Sequence, residues 1–142
     1  DLVQLTAHDA EMGTSTIALA VALQTLGLDV TFYTDHDPEK QPLEIEYYQK
    51  AAKMNIHVVE QPLSYSEIQH QIENGRFVIV FYDTLDGVGN HSLIYDIDDQ
   101  QISFFDSFDS MSKEIFEQQR QVEGICQQVI VIDDRNFVMR QN

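Results

Sequence analysis

The residues best placed to do chemistry are a histidine and an aspartate fifteen positions apart. His91 opens an apolar segment, His91-Ser92-Leu93-Ile94-Tyr95, directly after the polar stretch Asp83 to Asn90, and Asp106 closes the next apolar segment. If the two segments form a hairpin about Asp98-Asp99, their far ends lie side by side. A carboxylate beside an imidazole fixes its tautomer and raises its basicity, which is what a general base needs. Many hairpins end in polar residues for no such reason, so the spacing alone leaves a structural reading open. His8, His36, His57 and His70 have no second feature pointing to them and read as exposed or structurally satisfied. Asp35-His36-Asp37 carries the ligand types of a weak divalent-ion site and equally those of a solvated acidic loop.

Candidate nucleophiles are few. The one cysteine, Cys126, precedes an alternating apolar segment, Gln127 to Ile132, and is expected in a strand as a small, buried, unreactive core residue. A single thiol also excludes an intrachain disulfide or a Cys-based zinc site. The hydroxyl cluster Thr14-Ser15-Thr16 precedes a strongly apolar run. Such hydroxyls serve as helix N-caps, and only with an aligned base would one act as a nucleophile.

The elements that must position these residues follow from periodicity. Ile17 to Leu26 is apolar almost all round and rich in Ala and Leu, so it is predicted as a buried helix, closed by Gly27. Leu28 to Tyr33 alternates and reads as a strand; Pro42 suits the first turn of a helix to about Met54; Ile56 to Glu60 is a short strand. Ser64-Tyr65-Ser66-Glu67 is a capping box, opening a helix that Gly75 ends. Three strands follow, Arg76 to Tyr82, His91 to Asp96 and Gln101 to Asp106, then a helix from about Ser112 to Gln121 and a strand from Gln127 to Ile132. Helices early and a mostly antiparallel sheet late make an α+β fold. Gly87-Val88-Gly89 opens no helix, so it is loop and not a phosphate cradle, and no cofactor is expected.

Composition sets the outer limits. The 142 residues suggest one domain over residues 1–142, and 43% hydrophobic residues suffice for one core. The longest apolar run, Ile17 to Leu23, falls far short of the roughly 20 residues of a membrane span. Eight basic against 24 acidic residues give a net charge of −16, which repels nucleic acid and anionic lipid and attracts a basic peptide or protein. Asp1 opens the chain without a Met, a basic n-region or an apolar h-region, so a mature form or fragment is expected, with the cytoplasm favoured.

From Glu67 to Ser107 the sequence resembles the papain-like peptidase C39 superfamily, in its C39-like and guanylyl-cyclase-domain-like branch. The shared order is an apolar strand (Arg76 to Tyr82), a loop, a Gly-His-like start to the next strand (Asn90-His91-Ser92-Leu93-Ile94-Tyr95-Asp96), and a strand ending in Asp (Ile102 to Asp106, then Ser107). Tyr47 to Gly75 repeats the helix, strand and capped helix that precede this in the family. The resemblance implies a papain-like fold, a central N-terminal helix on an antiparallel sheet, with His91 as base and Asp106 as its orienting partner. It also implies an oxyanion donor, matched by Gln4, and a Cys-Gly pair opening the central helix. Here the Cys is missing: Met12-Gly13 puts Met12 at the nucleophile position, and counting back from Gly27 puts Thr14 there.

These readings converge on a C39-peptidase-like domain with a degenerate catalytic site, binding a peptide or protein ligand in the residual cleft. The enzyme alternative is a hydrolase or amide/acyl transferase using His91 and Asp106, with an oxygen nucleophile (Thr14 or Ser15) or a cysteine removed by substitution. A third class, an acidic metal-binding module built on Asp35, Asp37, Asp96, Asp98 and Asp99, lacks any calcium-loop spacing.

Overall fold

The computed structural model describes residues 15–36, 42–83, 89–105, 110–122 and 125–133. Their elements run in the order α1 (Thr16–Thr25), β1 (Asp29–Tyr33), α2 (Pro42–Lys53), β2 (His57–Val59), α3 (Tyr65–Glu73), β3 (Phe77–Asp83), β4 (Gly89–Ile97), β5 (Gln101–Phe104), β6 (Ser110–Ser112), α4 (Lys113–Arg120) and β7 (Val129–Asp133). The α+β expectation holds: among the described residues, four helices flank a seven-stranded sheet of order β2-β1-β7-β3-β4-β5-β6. Only β1 and β2 pair in parallel. None of these helices is long and apolar enough to cross a membrane.

Three helices hand the chain to a strand by the same device. After α1, Gly27 (φ 98°) lets its own N–H reach Gln24 O and the Leu28 N–H reach Leu23 O. After α2, Asn55 (φ 62°) donates to Ala52 O and Ile56 to Ala51 O; after α3, Gly75 (φ 83°) donates to Ile72 O and Arg76 to Gln71 O. Each is a Schellman closure, in which one left-handed residue satisfies the last helical carbonyls. The strand begins two residues later every time, at Asp29, His57 and Phe77. Gln24 adds a tie from α1 to β1, its side-chain oxygen accepting from Val30 N–H at 3.2 Å. At the other end of α3 the predicted capping box is complete, with Ser64 and Glu67 each accepting from the other's N–H.

The sheet has a helix pair on each face. On one side Ile17, Leu19, Ala20, Val21 and Leu23 of α1 and Ala51 of α2 pack on Val30, Phe32, Ile79, Leu93, Ile130 and Ile132. On the other, Tyr65 and Ile68 of α3 and Phe116 of α4 pack on Val78, Val80, Ile94, Ile102, Phe104, Val129 and Val131. α1 is buried almost all round because its outward side also meets α2.

The β4–β5 hairpin turns through Asp98, whose N–H donates to Gln101 O and whose carboxylate accepts from the N–H groups of Gln100 and Gln101. Tyr65 locks this turn to α3. Its hydroxyl donates toward Asp98 O at 2.7 Å and Gln101 O at 2.9 Å. Burial, reinforced by the carboxylates of Asp98, Asp99, Glu117 and Glu114, pushes the Tyr65 phenol up to about 12.

The consequence is an alkaline limb in stability. The unfolded chain releases this proton near about pH 10, whereas the folded chain holds it to about 12. Between these values the unfolded state binds fewer protons, so this contribution is fully present below about pH 10 and is lost as pH rises toward 12. Urea denaturation at about pH 8 and about pH 11 should show a smaller alkaline loss in Tyr65→Phe than in the wild type. At the lower pH the variant should be less stable by roughly 1–2 kcal/mol, the value of a lost buried hydrogen bond. Equal alkaline losses would refute the assignment.

Candidate functional site

α1 enters through Ser15, which is extended (φ −71°, ψ 157°) and whose Oγ accepts from Ala18 N–H at 3.4 Å. Ser15 is thus the N-cap. Thr16, the next residue, is the first of the helix and only 2% exposed. Its hydroxyl points at β4, where Thr16 Oγ1 and His91 Nε2 lie 2.7 Å apart across 75 residues of sequence. His91 is itself 2% exposed. A hydroxyl in the first turn of a buried helix therefore meets an imidazole on the adjoining sheet, where unsatisfied helix N–H groups and the helix dipole favour negative charge.

β3 and β4 set the imidazole's position. They pair antiparallel with Asp83 opposite Gly89, Phe81 opposite His91 and Ile79 opposite Leu93. Phe81 and His91 project to the α1 side and stack, with ring centroids 4.4 Å apart and planes 18° apart. On the opposite face Tyr82 Oη and Ser92 Oγ hydrogen-bond at 2.8 Å, and the Asn90 side-chain amide donates to Tyr82 Oη at 3.2 Å. This buried polar set ties β3 to β4 in one register. A slip of one residue would move His91 to the wrong face.

β4 and β5 are antiparallel, as the hairpin reading expects, with a bulge: Ile97 pairs with Ile102 and Asp96 with Ser103, but Ile94 pairs with Phe104. The extra residue is Tyr95, and beyond it Phe105 N–H donates to Leu93 O at 3.0 Å. Asp106, Gln4, Met12 and Thr14 lie outside the described residues. The described candidate that meets His91 is Thr16, which sequence reasoning placed only among capping hydroxyls. Its signal was position alone, one residue past the N-cap.

Cys126 departs from expectation. It is half-buried, in a turn ahead of β7, with φ 56°, and Gln127 follows at φ 47°. Two successive left-handed residues turn the chain from α4 into β7, so the strand starts only at Val129. Cys126 O accepts from Asp35 N–H, and the residue borders a cavity of about 300 Å³ that also touches Arg120 and Val122. Burial pulls the Arg120 guanidinium below its ordinary value, with Glu117 opposing that shift, while Arg120 donates to Gln127 O at 3.2 Å.

His8 and Asp37 lie outside the described residues, and the remaining described candidates serve local structure. His36 Nδ1 sits 3.0 Å from Glu60 Oε1 on the surface, and His57 lies exposed on the edge strand β2. Asp96 accepts from Ile97 N–H, Asp98 closes the hairpin turn, and Asp99 accepts from the Gln69 amide. Among the described residues, no three His, Cys, Asp or Glu side chains converge on a point that could hold a metal ion.

No protein-family model, no curated protein sequence and no solved structure matches this chain.

The Thr16–His91 contact carries a stability consequence. Thr16→Val keeps the shape but strips a buried imidazole nitrogen of its partner, which costs about 1–3 kcal/mol. Thr16→Ser keeps the hydroxyl and gives up one methyl, about 0.8 kcal/mol. In urea denaturation Thr16→Val should be the more destabilised variant; the reverse order would mean that the hydrogen bond contributes nothing.

Proposed function

We propose that the chain is a C39-peptidase-like domain with a papain-like arrangement and a degenerate catalytic centre, which binds a peptide or protein ligand in the cleft beside the N-terminus of α1. The observation that carries this reading is the contact at 2.7 Å between Thr16 Oγ1 and His91 Nε2. A buried helix presents its first turn to a histidine on an antiparallel sheet, which is where a papain-like enzyme pairs its nucleophile and base. Here the helix side of the pair is a hydroxyl.

The substitution of oxygen for sulfur changes the chemistry. A thiol at a helix N-terminus beside an imidazole ionises readily, and its thiolate is the nucleophile. A hydroxyl keeps its proton in the ground state and attacks only as a base removes it. Thr16 and His91 are each 2% exposed, so in this reading their contact is structural. Such a pair joins helix to sheet, and the ligand binds beside it in this reading. The net charge of −16 favours a Lys/Arg-rich ligand. In this reading Asp106 and Gln4 keep the family's assignments, orienting the imidazole and facing the ligand carbonyl.

The competing function is acyl transfer from an oxygen nucleophile, and the same contact makes Thr16 the described hydroxyl able to serve. One experiment separates the two. The wild-type protein is mixed with p-nitrophenyl acetate and, separately, titrated by NMR with a decapeptide of alternating Lys and Ala. Binding without catalysis gives no p-nitrophenol burst and moves the amide resonances of Thr16, His91 and their neighbours. A burst that disappears in both Thr16→Val and His91→Ala establishes acyl transfer and overturns the degenerate-site reading. A titration that leaves those resonances unmoved overturns the basic-peptide assignment.

The papain-like arrangement has its own check. In a Cys126→Ser background, Thr16→Cys puts a thiol in the first turn of α1 beside His91. Its thiolate absorbance near about 240 nm should appear at least about one pH unit below the ordinary thiol value of about 8.5. A titration at or above the ordinary value would show burial outweighing helix and imidazole, and no latent nucleophile site.

A further inference from the structure

We infer that Phe81 and Gly89 are positioning residues for His91, acting as one steric unit that sets the plane of the imidazole so that Nε2 meets the Thr16 hydroxyl. The inference rests on the site reading above for its importance, and on geometry alone for its content.

The chain of contacts starts at Gly89. Its backbone is not among the left-handed glycines, which in the described residues are Gly27 and Gly75. Conformational freedom is therefore not why glycine stands there. Space is: a Cβ built on Gly89 would lie 2.5 Å from Phe81 Cζ and 2.6 Å from Phe81 Cε1, with Ile125 Cδ1 at 3.6 Å. Carbon atoms in contact settle at about 3.5–4.0 Å, so any side chain at 89 must displace the Phe81 ring by roughly 1 Å.

The ring has little room to yield. One face of the ring stacks on the imidazole, with 4.4 Å between centroids. Its backbone is held on both sides, paired with His91 on β4 and donating from Phe81 N–H to Gln128 O at 3.1 Å. Gly89 thus leaves room for the tip of the Phe81 ring, and Phe81 in turn gives His91 a flat wall. An imidazole against such a wall loses rotation about its outer side-chain torsion, which is otherwise broad. That restriction holds Nε2 at 2.7 Å from Thr16 Oγ1.

The test reads the imidazole directly in the unliganded protein, so it is independent of whether a peptide binds or an ester is cleaved. Long-range ¹H–¹⁵N correlation spectra of ¹⁵N-histidine protein, assigned with His91→Gln, report how the two ring nitrogens of His91 share the proton. A hydrogen bond that fixes the ring keeps the two ¹⁵N shifts well separated. In Gly89→Ala and in Phe81→Leu the two shifts should move toward a common averaged value, while those of His36 and His57 stay where they are. Stability adds a second readout: Gly89→Ala should destabilise less in the Phe81→Leu background than in the wild type, because the clash partner is gone. If Gly89→Ala does not fold, Phe81→Leu alone decides through the ring shifts. Unchanged His91 shifts in the folded variants, or additive stability losses, would overturn the inference.

Discussion

Everything in this fold depends on one strand being buried on both faces. β7 lies between β1 and β3, and Val129, Ile130, Val131 and Ile132 are all at most 5% exposed. Ile130 and Ile132 enter the core under α1, while Val129 and Val131 enter the core under α3 and α4. At about 1.5–3 kcal/mol for each fully buried aliphatic side chain, these four residues anchor both cores at once. β7 also joins what would otherwise be two pieces. β1, β2, α1 and α2 come from the first part of the chain, β3 to β6 from the later part, and β7 hydrogen-bonds to both. The Thr16–His91 contact spans that join, with α1 in one piece and β4 in the other. In the folded chain the site thus depends on a sheet that β7 holds together.

Local structure was legible where a single residue decides it. The capping box at Ser64 and Glu67, the glycines after α1 and α3, and the alternation of β1 each follow from one stereochemical rule. Asn55 was less visible because asparagine adopts the left-handed conformation less often than glycine, yet it closes α2 by the same hydrogen bonds. β6 was missed: Ser110-Met111-Ser112 is three residues long and forms by pairing with β5, which no periodicity announces. Cys126 was misplaced because its neighbours alternate as a strand does. The left-handed turn at Cys126 and Gln127 is imposed by the path from α4 to β7, a tertiary demand.

The site was legible in part for a similar reason. His91 stood out because it begins a strand after a polar stretch, and the antiparallel hairpin it anchors is present. Counting residues across the turn could not reveal the bulge at Tyr95, which shifts the β4–β5 register by one. Nor could it pick Thr16 from three consecutive hydroxyl residues. The choice depends on helix geometry: Ser15 turns back to cap the helix, and the residue after it points across to the sheet.

That geometry bears on what the pair can do. A polar pair 2% exposed on both sides is costly to bury unless each member satisfies the other. Once satisfied, it specifies a single seating of helix on sheet, since sliding α1 by one residue would leave both Thr16 and His91 without this contact. Hydrocarbon packing alone would not be so selective, because α1 is apolar almost all round and could rotate with modest loss. The Thr16–His91 pair thus provides the register of helix on sheet that the apolar faces of α1 leave open.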